Sequence, residues 1–151
     1  MPRKTKALQY YEAIGRRREA IARVRLYIMG KEKVVTVQSQ KIRQGEITIN
    51  KRPAETMFSA AYEKERYLQP LKLTNNLDRF AISITVRGGG HTGQLEAIIH
   101  GLARALNEVD RDANRPVLKK NGLLTRDPRT RERRMVGTGG KARRQKQSPK
   151  R

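Results

Sequence analysis

The chain has 151 residues and carries 35 Lys and Arg against 14 Asp and Glu, a formal charge of +21, with no cysteine and no tryptophan. That length suits one ordinary domain with extensions, and so large an excess of positive charge calls for a polyanion, of which nucleic acid is the usual one. The composition excludes a disulfide framework and a thiolate metal site, and no apolar run approaches the ~18 residues of a membrane-spanning helix.

The N-terminal MPRKTKALQYYEAIG lacks the apolar segment of a secretory leader, so the protein is expected to stay where it is made. A basic helix lying on a membrane would need bulky apolar residues opposite its cations, and the basic regions contain no such segment. The charge is uneven: residues 1–114 hold 21 basic and 12 acidic side chains, and residues 115–151 hold 14 and 2. A moderately basic globular part therefore carries a strongly basic tail.

In GRRREAIARVRL, residues 15–26, Arg16, Arg17 and Arg18 precede the first expected strand. Val24, Leu26 and Ile28 then alternate with Arg23, Arg25 and Tyr27, the period-two pattern of a strand with one face buried. Arg23 and Arg25 extend the basic run along the polar face, and a row of guanidiniums suits phosphates through paired hydrogen bonds. The bland alternative is a solvated surface. A second strand is expected at Val34, Val35 and Val37, and a third at EITIN, with Ile47 and Ile49 on one face. The polar QSQKIRQG between them, ending in Gly45, reads as an extended hairpin or loop.

Pro53 opens a short helix expected to run to about Lys64. FAISITV follows as a strand, with Phe80, Ile82, Ile84 and Val86 alternating against Ala81, Ser83 and Thr85. Next comes RGGGHTGQ, residues 87–94, between that strand and a helix whose stripe is Leu95, Ile98, Ile99, Leu102, Leu106 and Val109. Pro116 is expected to stop this helix near Asn114. The glycines match neither GxxxxGKS/T nor GxGxxG. Their main reading is a tight turn with unusual backbone angles. On top of it, bare amides at Gly88, Gly89 and Gly90 beside Arg87 are suited to approach RNA phosphates.

LLTRDPRTRERRM, residues 123–135, marks the departure from the domain. Leu123 and Leu124 are expected to anchor it, and Asp127–Pro128 to turn it. Beyond, Arg129, Arg131, Arg133 and Arg134 crowd together and repel unless anions intervene. In the closing MVGTGGKARRQKQSPKR only Met135, Val136 and Ala142 are apolar, too little to offset roughly 1 to 2 kcal/mol of ordering entropy per residue. Alone in water this stretch is expected to be disordered, and to fold on binding RNA.

Catalysis finds little support. Glu63 and Glu65 diverge on a helix, His100 has no nucleophile near it, and the serines lack a nucleophile-elbow context. His91 and His100 make no recognised metal-ligand spacing.

Together, GRRREAIARVRL, ITINKRP, LTNNLDRFAISITVRGGGHTGQLEAIIHGLARAL and RPVLKKNGLLTRDPRTRERR resemble, in order and over nearly the whole chain, the bacterial type of small-subunit ribosomal protein nine. The resemblance implies an α+β fold like the second domain of ribosomal protein five, a small sheet backed by two or more helices in a two-layer sandwich, with a long basic C-terminal tail. It implies a globular rRNA-binding domain at 1–128 and a tail at 129–151. It further implies a cytoplasmic, non-enzymatic protein without cofactor or metal, seated on the 3′ major domain of small-subunit rRNA in the head, beside other head proteins, with the tail reaching peptidyl-site tRNA. The expected rRNA contacts are Arg16, Arg17, Arg18, Arg23, Arg25, Arg87, Gly88, Gly89, Gly90, Arg126, Arg129, Arg131, Arg133, Arg134, Lys141, Arg143 and Arg144. Lys150 and Arg151 match the family's terminal pair and are the expected tRNA contacts.

The chain departs from the pattern in three places. Pro149 separates Ser148 from Lys150 and fixes a backbone angle there. GTGG at 137–140 is less basic than the family's equivalent. KEKVVTVQSQKIRQGE, residues 31–46, is longer than the usual connection, as a hairpin with its own RNA or protein contact would be. Two other function classes compete: a nucleoid-type protein coating DNA through charge, and a nucleotide-dependent enzyme built on the glycine turn.

Overall fold

The computed structural model describes residues 9–29, 34–37, 40–137 and 140. Tyr10–Arg17 (β1) folds back on Ala20–Ile28 (β2), and β2 pairs antiparallel with Phe80–Arg87 (β7). Ile47–Ile49 (β5) joins the far side of β7 in parallel, and the two-residue Arg52–Pro53 (β6) closes that edge. The result is a mixed five-stranded sheet in the order β1-β2-β7-β5-β6. A separate hairpin, Val34–Val37 (β3) with Gln40–Arg43 (β4), makes a second sheet of two strands.

Alternation sorts the main sheet into two faces. Ala20, Ala22, Val24 and Leu26 of β2, and Ile82, Ile84 and Val86 of β7, are buried in one core with His91–Val109 (α3), whose Leu95, Ile98, Leu102 and Leu106 are fully buried. Each such side chain contributes roughly 1.5 to 3 kcal/mol by leaving water. The helix lies so close to β1 that a Cβ on Gly15 would stand 2.0 Å from the Ala97 carbonyl oxygen. Gly101 completes the contact, where a Cβ would meet Val24 Cγ2 at 2.8 Å. Ala61–Leu73 (α2) and Arg111–Lys120 (α4) pack alongside α3, and the single turn Ala54–Met57 (α1) precedes α2.

The other face carries Glu12, Ile14, Arg16, Ile21, Arg23, Arg25, Ser83, Thr85 and Arg87. At one end of it Tyr27 and Ala81 form a small second core with Val35 and Ile42 of the β3–β4 hairpin. The segment read as a loop or hairpin is thus a hairpin seated on the sheet.

Three expectations on the elements need correction. The residues before ARVRLYIM are themselves a strand, β1, so Arg16 and Arg17 stand at its end and Arg18 in a turn at φ 50°. Its alternation is weak because Tyr10, Ile14 and Gly15 break the polar–apolar sequence. The expected helix from Pro53 to Lys64 is two helices, because Phe58 leaves helical geometry (φ −122°, ψ 83°) to bury its ring, and the second runs to Leu73. The long helix stops at Val109 rather than near Asn114, and a new one begins. Asp110 caps it by accepting from the Ala113 N–H at 3.0 Å, a strong N-terminal signal. Pro116 then sits inside α4, where it forfeits one backbone bond to the exposed Asp112 turn.

Candidate nucleic-acid interface

The glycine turn divides residue by residue. Gly88 (φ +71°) and Gly89 (φ +64°) occupy left-handed geometry, and a Cβ on Gly88 would stand 2.5 Å from the Glu19 carbonyl oxygen. Those two are required by the fold. Gly90 has extended geometry and nothing within 4 Å of where a Cβ would be, and it caps α3 without any side-chain bond. The first amides of a 19-residue helix therefore open to the surface, where the helix dipole favours an anion.

In front of that helix end is a cleft of about 630 Å³ lined by Arg18, Glu19, Gly89, Gly90, Thr92, Gly93, Thr130 and Arg131. Arg18 and Arg131 are exposed and have no ion pair among the described residues. His91 also borders the cleft but is engaged behind it: its Nε2 is 2.7 Å from Glu63 Oε1, and its ring is tilted 47° against Phe58 with centroids 4.8 Å apart. Burial pushes the Glu63 carboxyl up, but hydrogen bonds from His91 and from the Tyr62 hydroxyl outweigh it and hold the pKa below the usual value. The carboxylate in turn pushes the Tyr62 phenol up.

The three consecutive arginines diverge. Arg16 is exposed, and its backbone N–H donates to His100 Nδ1 at 3.3 Å. Burial holds the His100 pKa below its ordinary value, which favours the neutral ring that can accept this bond. Arg17 is buried and points inward: Nε donates to Glu96 Oε2 at 2.5 Å, Nη1 to the Arg129 carbonyl at 2.9 Å, and Nη2 lies 3.0 Å from Asp127 Oδ2. Arg18 faces the cleft described above.

Arg23, Arg25 and Arg87 share the open face of the sheet. Arg25 is held by Glu12 at 2.5 Å and lies over the Tyr10 ring at 4.9 Å, and the hydrogen bond to Glu12 raises its pKa. Arg23 and Arg87 are exposed without carboxylate partners among the described residues. Sequence reasoning missed a third cation beside them, Lys51, in a turn at φ 66°. It sits between Ile47–Ile49 and Arg52–Pro53, and no pattern in the sequence marks it. Also missed was the basic face of α4, where Arg111, Arg115, Lys119 and Lys120 are exposed.

At the tail's exit, Leu123 and Leu124 pack on the main core as expected. Asp127 accepts from the backbone N–H of Arg129 at 3.0 Å and from its guanidinium. The hydrogen bonds from Arg129, with Arg17 adding to them, hold the Asp127 carboxyl well below the usual carboxylate range. Arg126, Arg131, Arg133 and Arg134 are exposed. Lys141, Arg143, Arg144, Lys150 and Arg151 lie outside the described residues.

The profile of ribosomal protein S9/S16 matches residues 15–151. The chain belongs to the ribosomal protein S9/S16 family. It is accordingly a structural, RNA-binding component of the small ribosomal subunit rather than an enzyme, working in the cytoplasm as part of the ribosome and among ribosomal partners. The free cations and open amides above are the chemistry such a component needs. Among the described residues no helix is long and apolar enough to cross a membrane, and no cluster of His, Asp and Glu could hold a metal ion.

Proposed function

We propose that this S9-family protein binds the 3′ major, head domain of small-subunit rRNA through its globular part, residues 1–128, with residues 129–151 as an extended fastening whose end contacts peptidyl-site tRNA. The observation that carries the reading is the cleft where the uncapped α3 N-terminus, Arg18 and Arg131 converge. Three separate chain segments there present two arginines without ion pairs and open helix amides, against a single lining carboxylate, Glu19. Arg16, Arg23, Arg87, Arg126, Arg133 and Arg134 add free guanidiniums for phosphate contact, while Arg25 keeps Glu12 as a partner. Arg17 and Arg129 serve the site by fixing where the tail leaves the domain. Lys141, Arg143 and Arg144 continue the phosphate contacts along the tail, and Lys150 and Arg151 are the proposed tRNA contacts.

Binding of the full chain to a 3′ major domain rRNA fragment and to duplex DNA, over a salt series, tests this reading. A chain ending at Gly137 keeps the Arg17–Arg129 contact and removes six basic residues. It should keep the rRNA preference and flatten log K against log salt by up to about 4 to 5, from roughly 0.7 to 0.9 per phosphate neutralised. Equal binding of both nucleic acids at every salt would overturn the proposal and favour nonspecific coating.

A further inference from the structure

The open face of the sheet carries a second cleft, of about 470 Å³, on the side away from α3 and distinct from the one at its N-terminus. Its floor is β7, with Ser83 and Thr85, and one wall is the β3–β4 hairpin, with Val37, Gln40 and Ile42. Three cations line it: Arg23, Lys51 and Arg87. Register sets two of them, since Arg23 lies opposite Thr85 and Arg87 opposite Ile21 on neighbouring strands.

Lys51 is placed by its neighbour. Asn50 (φ 49°) donates its backbone N–H to the Ile84 carbonyl at 2.9 Å. Its side chain also pairs with the Val86 backbone in both directions, Nδ2 to the carbonyl at 3.1 Å and Oδ1 from the N–H at 3.0 Å. Left-handed geometry at two consecutive side-chain-bearing residues is strained, and three hydrogen bonds to β7 hold this turn there.

No carboxylate lines the cleft, and none of its three cations has an ion-pair partner among the described residues. Elsewhere the chain pairs its arginines readily, as at Arg17, Arg25, Arg66 and Arg129. The cleft is on the scale of a small-molecule site, so one strand can enter where a duplex cannot. With no aromatic in the lining, it offers bases nothing to stack on.

We infer that the cleft between the β3–β4 hairpin and the open sheet face grips the sugar–phosphate backbone of a single RNA strand, with Arg23, Lys51 and Arg87 on phosphates and Ser83, Thr85 and Gln40 hydrogen-bonding phosphate or ribose oxygens. The β3–β4 hairpin then has a function, as the wall that turns a flat sheet face into a cleft. This inference rests on the proposed rRNA binding and adds a site to it.

The test is the salt slope of full-length variants on the 3′ major domain fragment. Replacing Arg23, Lys51 and Arg87 together by Gln should reduce the slope by about 2 to 3, at roughly 0.7 to 0.9 per lost phosphate. Thr85→Glu leaves those cations in place but supplies an internal anion opposite Arg23, and should reduce it by about 1. Thr36→Glu, the same charge change on the exposed outer side of the hairpin, should leave it unchanged. A wild-type slope in the Thr85→Glu protein would overturn the cleft, even if the triple variant failed to fold. So would equal losses in the two Glu variants, which would mean undifferentiated charge. In either case an intact wild-type preference for rRNA over duplex DNA keeps the proposed function standing, and loss of that preference alone would remove it.

Discussion

Arg17 Nη2 stands 3.0 Å from Asp127 Oδ2, joining the end of β1 to a residue 110 positions later, where the tail leaves the domain. The same guanidinium reaches Glu96 on α3 and the Arg129 carbonyl. One buried side chain therefore fixes the last folded contact before the basic segment, and it does so with every face of its fork. Arg16 and Arg18, its neighbours, are left to face solvent.

Arg17→Ala should accordingly destabilise the fold by about 1 to 3 kcal/mol. That is less than the removal of one partner from a fully buried pair, because Glu96 and Asp127 are each about a third exposed and keep other cations nearby. Arg16→Ala and Arg18→Ala should shift stability by less than about 0.5 kcal/mol while weakening RNA binding. Denaturant midpoints and salt-dependent binding of the three variants check the division. Equal stability losses in all three would refute it.

The Gly15–Gly101 contact makes a sharper prediction. Adding a methyl at Gly15 drives it into the α3 backbone rather than into a movable side chain, so Gly15→Ala should cost more than about 2 kcal/mol, at the upper end of overpacking effects. Gly90→Ala meets nothing and should cost about 1 kcal/mol or less, chiefly from a poorer cap. Thermal unfolding of the pair distinguishes a glycine required by packing from one left open at the surface.

Strand β7, the apolar stripe of α3, and the anchoring leucines 123 and 124 were legible because each is a long or strongly periodic apolar pattern whose burial decides its conformation. Strand β1 was hidden because Gly15 sits at its closest contact, so the residue that matters most for packing contributes no hydrophobic signal. The break at Asp110 was hidden because the stripe runs right up to Val109 and no glycine or proline follows before Pro116, although the Asp cap itself was readable. Within the site, composition identified cations but could not separate paired from free ones. That distinction depends on Glu12, Glu96 and Asp127, which come from three different elements. Lys51 was passed over because a lone lysine in a turn has no pattern, and it gains meaning only when β5 brings it beside Arg23 and Arg87.

Two groups should make stability depend on pH in the same direction. Burial lowers the folded pKa of His100, so its contribution is complete above the ordinary imidazole value near 6.5 and declines as pH falls through and below it. Glu63, whose folded pKa is also lowered, contributes fully above the usual carboxylate range and loses that contribution as pH drops below about 4.5. Unfolding measured from pH 8 to 3 should show a first decline that His100→Asn removes, since Asn retains an acceptor for the Arg16 N–H. A second, lower decline, to which the Asp127 carboxyl also contributes, should be reduced by Glu63→Gln. A wild-type profile in both variants would contradict these assignments.

The final prediction concerns Lys150 and Arg151. If affinity for rRNA comes from the domain and the body of the tail, removing two of 35 cations should change the salt slope by no more than about 2 and leave subunit assembly intact. The tRNA contact proposed for the same two residues has no such reserve, because it is made by those two side chains themselves. Ribosomes assembled with the chain ending at Pro149 should therefore contain normal amounts of this protein and release peptidyl-site tRNA faster than matched wild-type ribosomes. Pro149 sharpens the test: its fixed φ narrows the directions in which the last two cations can point, so Pro149→Ala should also raise the release rate while removing no charge. An unchanged rate in the truncated ribosomes would confine the tail to rRNA, and a change in the truncation but not in Pro149→Ala would assign the effect to charge rather than to direction.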